Sequence, residues 1–568
     1  MHISQMAKVL TGQRKKEYES LDGFFTFTIS QTSSVYFNIT ALIGNTLFID
    51  WDDEDNPDVE EEFTTTGVSQ RLSHNYSNSN RERTIRIHGS GVYVMSIFNV
   101  SGFRYIKDFP FNSENCSMLP NLKQLLLSDS DYLHWDEDCD WSLLPKINVI
   151  DLQSCDNLSG FSMIDPEVDE NYPAALSSLI INNTPLSGIT IRNYPPLRNI
   201  TISGRSELKY CDLEGCTNLR TIYFNDNYEL VSANFKNCSG MISSYFDDVY
   251  RLNNISFEGC TSMISANLID VNAYGTTEDF NINWSGCDSL KDLRLSSIKG
   301  KDILPSPDDA PSLSILSAYY ISGGISGDLE LNGYNSISSV FFENVYDLKN
   351  ISCIGNRSIT SGRFRYCKDL ENVTFENCTK LSGITFESSN EWKELEYLKV
   401  RNCINLKHIY TNNCGLEYGF EITQCDALSA LYMNYTNLRS FYLSGFENLR
   451  YLELYGNENS SLSKFEIEDC NKLESLYLES NRYSLTEIKV TNCRYSSLYI
   501  DADYCYSINK VTLDGLNTST SNMNSLLRDL KDYSFNNAGE INISNCSYLP
   551  SGTYITDLTN NGWTYNVS

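Results

Sequence analysis

The chain has 568 residues, of which 41% are hydrophobic and 20% charged, a balance that belongs to globular and not to disordered proteins. Its net charge of -30 argues against a nucleic-acid partner, because phosphate backbones are bound by Lys and Arg that release counterions, and against an anionic membrane surface. No stretch reaches the roughly 18 apolar residues of a membrane span, and MHISQMAKVLTGQRKKEYESL lacks the apolar h-region of a secretory signal.

Residues 1–20 are basic (Lys8, Arg14, Lys15, Lys16) on an acidic chain. They read as a frayed terminus or as an arm that docks on an acidic partner. In 21–101, FFTFTIS (24–30), VYFNITAL (35–42) and TLFIDWDDED (46–55) alternate like half-buried strands. HNYSNSNRERTIRIHGSG (74–91) and GVYVMSIFNVSG (91–102) follow in the same manner. Ile49, Asp50, Trp51, Asp52 and Asp53, then His74, Tyr76, Thr84, Ile85 and Ile87, resemble the W-D-F-G-D-G turn and H-x-Y strand of a PKD-type sandwich, without the glycine after the first Asp. The resemblance implies an N-terminal β-sandwich.

From 102 to 515 the chain repeats. Residues 216–259 show the unit: CTNLRTIYFND, NYELVSANFKN, CSGMISSYFDD, VYRLNNISFEG. Apolar residues fall mostly at positions 4, 7 and 9 of each 11-residue unit. Positions 7 and 9 share the inward face of a short strand, position 8 points outward, and Asn, Asp or Gly at 10 and 11 supplies the turn. The frame returns at CKDLENVTFEN (367), CTKLSGITFES (378), CINLKHIYTNN (403), CDALSALYMNY (425), CNKLESLYLES (470) and, shifted by one, CRYSSLYIDAD (493). Most of the 18 cysteines hold one place in this frame: Cys216, Cys238 and Cys260 are 22 apart, and Cys403, Cys414 and Cys425 are 11 apart. That regularity marks a buried packing position and not a disulfide framework.

This pattern resembles the leucine-rich repeat, L-x-x-L-x-L-x-x-N/C-x-L. Both halves of each 22-residue coil carry the strand pattern, which predicts a flattened coil with strand on two sides. About 18 coils at ~4.8 Å spacing predict a rod on the order of 85 Å long. Breaks in the frame at 162–175, 269–283, 300–313 and 456–463 are expected to be surface loops. Residues 516–568 leave the frame. MNSLLRDLKDY (523–533) reads as a helix, GEINISN as a strand, and SGTYITDLTNNGWTYNVS as a second helix and a last strand. This ending, with Gly562, Trp563 and Thr564 and then Val567, resembles the terminal unit of leucine-rich-repeat proteins of gut bacteria and their phages. Trp563 is expected to close the core.

The fold expected is therefore mainly β: a leucine-rich-repeat solenoid (102–515), an N-terminal β-sandwich (21–101) behind an arm (1–20), and a small α/β cap (516–568). No catalytic constellation stands out. His2, His74, His88, His134 and His408 sit in no motif, and neither a P-loop nor a strand-linked dinucleotide fingerprint occurs. No cofactor is expected and no zinc site, since no C-x-x-C pair exists. Asp50, Asp52, Asp53, Glu54 and Asp55, and Asp136, Glu137, Asp138 and Asp140, could hold calcium but lack EF-hand spacing, so solvated loops are expected.

The outward position 8 is richer. On one side of the C-terminal half it reads Tyr410, Tyr432, Glu453, Tyr477 and Tyr499, with Tyr223 and Tyr245 earlier in the chain. The other side reads Glu421, Tyr442, Glu466, Lys489 and Thr512. The tyrosines can serve as cross-strand pairs that stabilise the sheet, or as recognition side chains of large area and low entropy cost. The family resemblances imply a non-enzymatic phage virion protein that attaches to a host surface protein or glycan and joins other virion proteins through its N-terminal region. The alternative is a bacterial cell-surface or secreted adhesin.

Overall fold

The computed structural model describes residues 8–10, 25–29, 34–41, 43–57, 59–89, 92–96, 106–108, 122–126, 143–155, 174–204, 207–272, 280–300, 302–322, 325–388, 395–456, 462–479, 481, 483–534 and 538–568. The chain divides into two compact units, Met1–Leu290 and Lys291–Ser568.

The first unit opens with nine strands: β1 (Lys8–Leu10), β2 (Phe25–Ile29), β3 (Ser34–Ala41), β4 (Thr46–Asp50), β5 (Glu60–Thr64), β6 (Gln70–Asn75), β7 (Arg83–Gly89), β8 (Val92–Ser96) and β9 (Ile106–Asp108). One sheet runs β1-β5-β4-β7-β2-β9. In the other, β3 lies between β6 and β8, antiparallel to both. The alternation that marks these strands is the alternation of a sandwich. Phe27 meets Phe37 of the facing sheet edge to face at 5.7 Å, Phe37 meets Trp51 at 5.5 Å, and Ile29, Ile39, Ile49 and Ile85 are buried around them.

Two of these strands are not apparent in the sequence. The run 74–91 holds the end of β6 and the whole of β7, joined through a turn. β5 begins with three glutamates. They are tolerated because Glu61 accepts a hydrogen bond from the Trp51 indole at 3.0 Å and Glu60 lies 3.3 Å from His88. Its outer edge is taken by β1, paired antiparallel as Lys8↔Glu62, Val9↔Glu61 and Leu10↔Glu60. The segment read as an arm thus includes a strand laid on the chain's own acidic strand.

β8 also pairs in parallel with Gln124–Leu126, so the second sheet of the sandwich runs on into the first ladder of coils. In this unit that ladder continues through Val149–Asp151, Ser178–Ile180, Asn199–Thr201, Thr221–Asn225, Ser243–Asp247 and Ser265–Ile269. A second ladder on the other side of each coil holds Gly188–Thr190, Tyr210–Asp212, Ser232–Asn234, Asn254–Ser256 and Asn281–Asn283. Both are parallel, with each position stacked on its counterpart one coil away. The result is the mainly β solenoid with strand on two sides.

The 11-residue frame has a local physical cause. Position 11 ends each strand with a left-handed turn: Asp226, Asn237 and Asp248 have φ of 58°, 60° and 57°, and Gly259 has 74°. Only Gly, Asn and Asp enter that region at low cost. Position 1 then turns the chain inward, where its side chain meets a carbonyl of the preceding coil. The thiols of Cys216, Cys238 and Cys260 donate to Ile191, Leu213 and Phe235 oxygens at 3.2, 3.0 and 3.2 Å. Where Asn227 replaces Cys, its Nδ2 donates to Ile202 O at 2.7 Å. A small donor is what this site needs, since an unpaired buried carbonyl is costly.

Every described cysteine is a free thiol, and all but Cys367 and Cys546 are buried. Burial pushes the Cys216, Cys260 and Cys505 thiols up to about 12. Site-resolved alkylation followed by mass spectrometry is therefore expected to leave these thiols unmodified in the native protein and to label them in denaturant. Labelling of native Cys238 or Cys260 would contradict the ladder.

In the second unit the first ladder runs from Asp292–Ser296 through Ile315–Tyr319, Ser339–Glu343, Ser361–Arg365, Gly383–Glu387, His408–Asn412, Ala430–Asn434, Tyr451–Glu453 and Ser475–Tyr477 to Tyr499–Asp501. The other side carries a five-stranded sheet ending at Gly419–Thr423 and a six-stranded sheet from Ser440–Ser444 to Thr564–Val567. The segment 300–313, expected as a surface loop, instead buries Ile303, Ala310 and Leu313. Its apolar residues outweigh the break in the frame. The breaks at 162–175 and 456–463 lie largely outside the described residues, as does the middle of 269–283, whose flanks bury Val271 and Phe280.

The C-terminal elements fall where expected. α1 (Thr520–Tyr533) is capped by Ser519, whose hydroxyl accepts from Asn522 N at 3.2 Å, and buries Met523, Leu526, Leu527 and Leu530. α2 (Gly552–Asn560) precedes Thr564–Val567, which pairs in parallel with Glu540–Ser544. Trp563 is buried between them. A Cβ at Gly539 would come within 2.6 Å of the Trp563 ring, so that position has no room for a larger residue.

Candidate binding surface

In the first ladder the residues at positions 7 and 9 of each unit point inward and those at 6 and 8 outward. In the first unit Tyr223 stacks on Tyr245 with ring centroids 5.0 Å apart and planes 8° from parallel. The row continues as Thr201 before them and Asn267 after them. Beside it, Tyr228 stacks on Tyr250 at 5.2 Å and 4°. Stacking one coil on the next covers the ring faces, so these tyrosines offer solvent mainly their edges and hydroxyls. That presentation suits hydrogen bonding to a polypeptide better than flat stacking on a sugar ring.

In the second unit the outward row reads Phe341, Arg363, Thr385, Tyr410, Tyr432, Glu453, Tyr477. Tyr410 and Tyr432 are 6.0 Å apart and tilted by 51°. Tyr499 does not belong to this row. The ladder pairs Tyr477 with Asp501 and Ser475 with Tyr499. The unit that begins at Cys493 is shifted by one, but toward the C-terminus, so that Ile500 and Ala502 take the inward places held by Leu476 and Leu478 one coil before. Tyr499 consequently joins the neighbouring row with Tyr451, and meets Tyr477 diagonally, edge to face, at 6.1 Å.

The five residues of the opposite side fall in two sheets. Tyr442, Glu466, Lys489 and Thr512 form one row of the six-stranded sheet, with Lys489 bonded to Glu466. Glu421 lies in the separate five-stranded sheet beside Lys399.

The spacing argument missed the other outward row and the strand ends. Tyr451 is 41% exposed and its hydroxyl donates to Glu474 at 3.2 Å. Glu479, Asp501 and Asp503 gather near Glu453, and burial first, then the charges of Asp501, Asp503 and Glu453, hold the Glu479 carboxyl above its ordinary value. A period of two applied to both flanks of each inward leucine would have found Tyr451. The carboxylates come from different turns, and only the stacking of coils unites them.

Of the two loops read for calcium, the first is occupied by the protein's own groups. Asp50 pairs with Arg86 at 3.0 Å, Asp52 with Arg81 at 3.0 Å and with the Thr84 amide at 2.9 Å, and Asp53 with His74 at 3.1 Å. His74 is partly desolvated, which opposes its charge, but Glu61 and Asp53 outweigh this and raise its pKa. Tyr76 closes the group by donating to Trp51 O at 2.9 Å. This is a structural network that pins the turn between β4 and β5 to residues of β6 and β7. The loop with Asp136, Glu137, Asp138 and Asp140 lies outside the described residues.

Residues 344–494 match the family described as plant disease resistance protein RPS2-like, leucine-rich repeats. Among solved structures, the crystal structure of a TLR13–ssRNA13 complex is similar at 14% identity, with 81% of this chain and 83% of that one covered and a TM-score of 0.21. The circular leucine-rich-repeat protein CroV588 is similar at 14% identity, with 74% and 79% covered and a TM-score of 0.24. None of the curated proteins matches. No helix among the described residues is long and apolar enough to cross a membrane. The family match falls on the coils that carry the outward tyrosine row, so residues 344–494 are similar to the leucine-rich repeats of that family.

Proposed function

We propose that the chain is a non-enzymatic binding scaffold that presents its first-ladder face to a protein partner on a host surface. The observation that carries this is the row Tyr410, Tyr432, Glu453, Tyr477, held outward at fixed spacing on a rigid ladder. Rigid tyrosines give contact area without an entropic penalty on binding, and the tilted or self-stacked rings favour a polypeptide over a glycan. The setting proposed is a phage particle, with residues 1–101 toward other virion proteins and the coils toward the host. It is supported by the resemblance of the first and last segments to those of phage and gut-bacterial proteins.

The test is retention of the purified full chain on host envelope fractions. Saturable retention that falls by roughly tenfold in Tyr410→Ala/Tyr432→Ala/Tyr477→Ala is the expected result. Retention unchanged in that variant would move the contact off this face, and no retention of the wild type would remove the scaffold reading. Gold-labelled antibody separates the settings: label on particles supports the virion, and label confined to cells supports a bacterial adhesin.

A further inference from the structure

On the second side of the coils in the second unit, two backbone hydrogen bonds recur at each step, and both are missing at one step. From Gly355 to Gly515 the amide that closes each turn donates to the next coil, as Asn402 does to Thr423 O and Gly445 to Glu468 O, both at 3.0 Å. Gln424, between them in this series, makes no such bond among the described residues. The amide that enters each strand donates to the coil before, as Tyr418 does to Glu396 O at 3.1 Å and Ser463 to Arg439 O at 3.0 Å. Arg439, at the same step as Gln424, is the exception. Gly419–Thr423 therefore ends one sheet and Ser440–Ser444 begins another. The Cα atoms of these two strands lie mostly more than 8 Å apart, where paired strands lie ~4.8 Å apart. The first ladder is unbroken here, through His408–Asn412, Ala430–Asn434 and Tyr451–Glu453, and Asn437 N still donates to Gly415 O at 2.7 Å. The coils part on one side only.

The sequence accounts for the opening. The unit 436–445 has 10 residues, one fewer than its neighbours. Phe446 then stands at position 1, the place of Cys425 and Cys470 in the coils on either side. Its ring is bulkier than a thiol and has no donor for a carbonyl of the preceding coil, whereas Cys425 donates to Val400 O at 3.9 Å. The floor of the opening is aromatic. Phe420 and Phe441 meet across it with ring centroids 5.1 Å apart and planes tilted by 41°. Phe420 is half-buried, although its counterparts Leu398, Phe441 and Phe465 are fully buried.

Backbone amides and carbonyls beside a core are nearly always paired, so two facing strand edges without partners call for one. An opening beyond 8 Å, bounded from above by the ring contact, has the width of one absent strand, since two strand spacings make ~9.6 Å. An extended polypeptide presents donors and acceptors to both edges at the repeat of the edges themselves. A sugar or a metal ion does not. The phenylalanine pair adds a condition: the residue that lies over it must be small. We propose that the opening between Gly419–Thr423 and Ser440–Ser444 is the docking site of an extended, proline-free segment of another protein, which enters as a strand with a small residue over Phe420 and Phe441. The site lies on the other side of the coils from the tyrosine row and goes beyond the scaffold reading.

The test uses the full-length chain and hydrogen exchange read at single amides. In the free protein Gln424 is expected to exchange at least roughly tenfold faster than Asn402 and Gly445, its counterparts one coil away. Equal exchange would mean that the edges are paired in solution and would overturn the proposal. The probe is the labelled peptide Lys-Thr-Val-Thr-Ala-Thr-Val-Lys, whose alanine is placed to lie over the rings, followed by fluorescence anisotropy. Saturable binding is expected, together with a roughly tenfold slowing of exchange at Ile422 and Gln424 and none at Ile409 and Leu431 of the first ladder. Two peptides of the same charge serve as controls. Phe in place of the alanine is expected to weaken binding roughly tenfold by collision with the floor. N-methylation of alternate residues, which removes the donors to one edge, is expected to weaken it at least roughly tenfold. Absence of saturable binding, undiminished binding of the N-methylated peptide, or protection away from the two edges would each overturn the proposal.

Discussion

Phe235→Ala is expected to lower the stability of the coils around it by about 3–5 kcal/mol. Phe235 is fully buried. It stacks on Phe257 at 5.7 Å, and stands edge to face with Phe224 at 5.9 Å and with Phe246 at 6.1 Å. These four rings come from both ladders, so Phe235 joins the two sides of its coil as well as consecutive coils. Truncation leaves a cavity that parallel ladders cannot close, because moving one strand inward breaks its register with both neighbours. In a solenoid each coil is stabilised only by its neighbours, and the loss is expected to spread to them. Urea unfolding followed by hydrogen exchange over 211–269 measures both effects. A loss below about 1 kcal/mol would mean that the rings are not a continuous core.

The second large effect is in the pH dependence of the C-terminal cap. Asp529 on α1 is 1% exposed. It accepts from Arg528 and, at 3.3 Å, from the Ala502 amide. Burial pushes its carboxyl up to about 7, and Asp503 adds to this. The folded state therefore holds the proton more tightly than the unfolded chain, whose ordinary value is 3.8. The stabilising contribution is fully present below that ordinary value and is lost as pH rises through the folded value. Asp529→Asn never ionises, though it gives up one acceptor at every pH. Between about pH 5 and pH 8 the wild type is expected to lose on the order of 2 kcal/mol relative to this variant. Thermal melts across that range decide it. Parallel pH profiles for the two proteins would show that Asp529 titrates normally.

Both expectations draw on features with different visibility in the amino-acid order. The 11-residue frame was legible because it states local rules twice over. A left-handed residue must close each strand, so Asn, Asp and Gly recur at position 11, and a small buried donor must open the next unit, so Cys recurs at position 1. The inward leucines follow from strand alternation. Helix α1 was legible from Leu526, Leu527 and Leu530, and the cap from Trp563. Where local rules are weak, the reading slipped. Glu60–Thr64 hides its strand behind three glutamates, whose tolerance depends on Trp51 and His88 from other strands. The unit at Cys493 was placed two residues off its true register, because only its pairing with Ser475–Tyr477 shows which of its inward residues stacks on which.

The candidate surface divides in the same way. Tyr223, Tyr245, Tyr410, Tyr432 and Tyr477 were found from the repeat alone, since identical positions in successive coils must stack. The acidic strip was not. Glu453, Glu479, Asp501 and Asp503 lie up to 50 residues apart, in different positions of their units. A one-dimensional pattern registers what each coil repeats. It does not register which charges a neighbouring coil neutralises, because that depends on side-chain reach across the ladder. By itself the sequence determined the coil, its two strands, its thiol ladder and its outward tyrosines, all set by contacts within a unit or with its exact counterpart. Only the tertiary structure decided the register of Tyr499, the sheet shared by the sandwich and the coils, and the gathering of Glu453, Glu479, Asp501 and Asp503, because each depends on contacts between residues that no repeat relates.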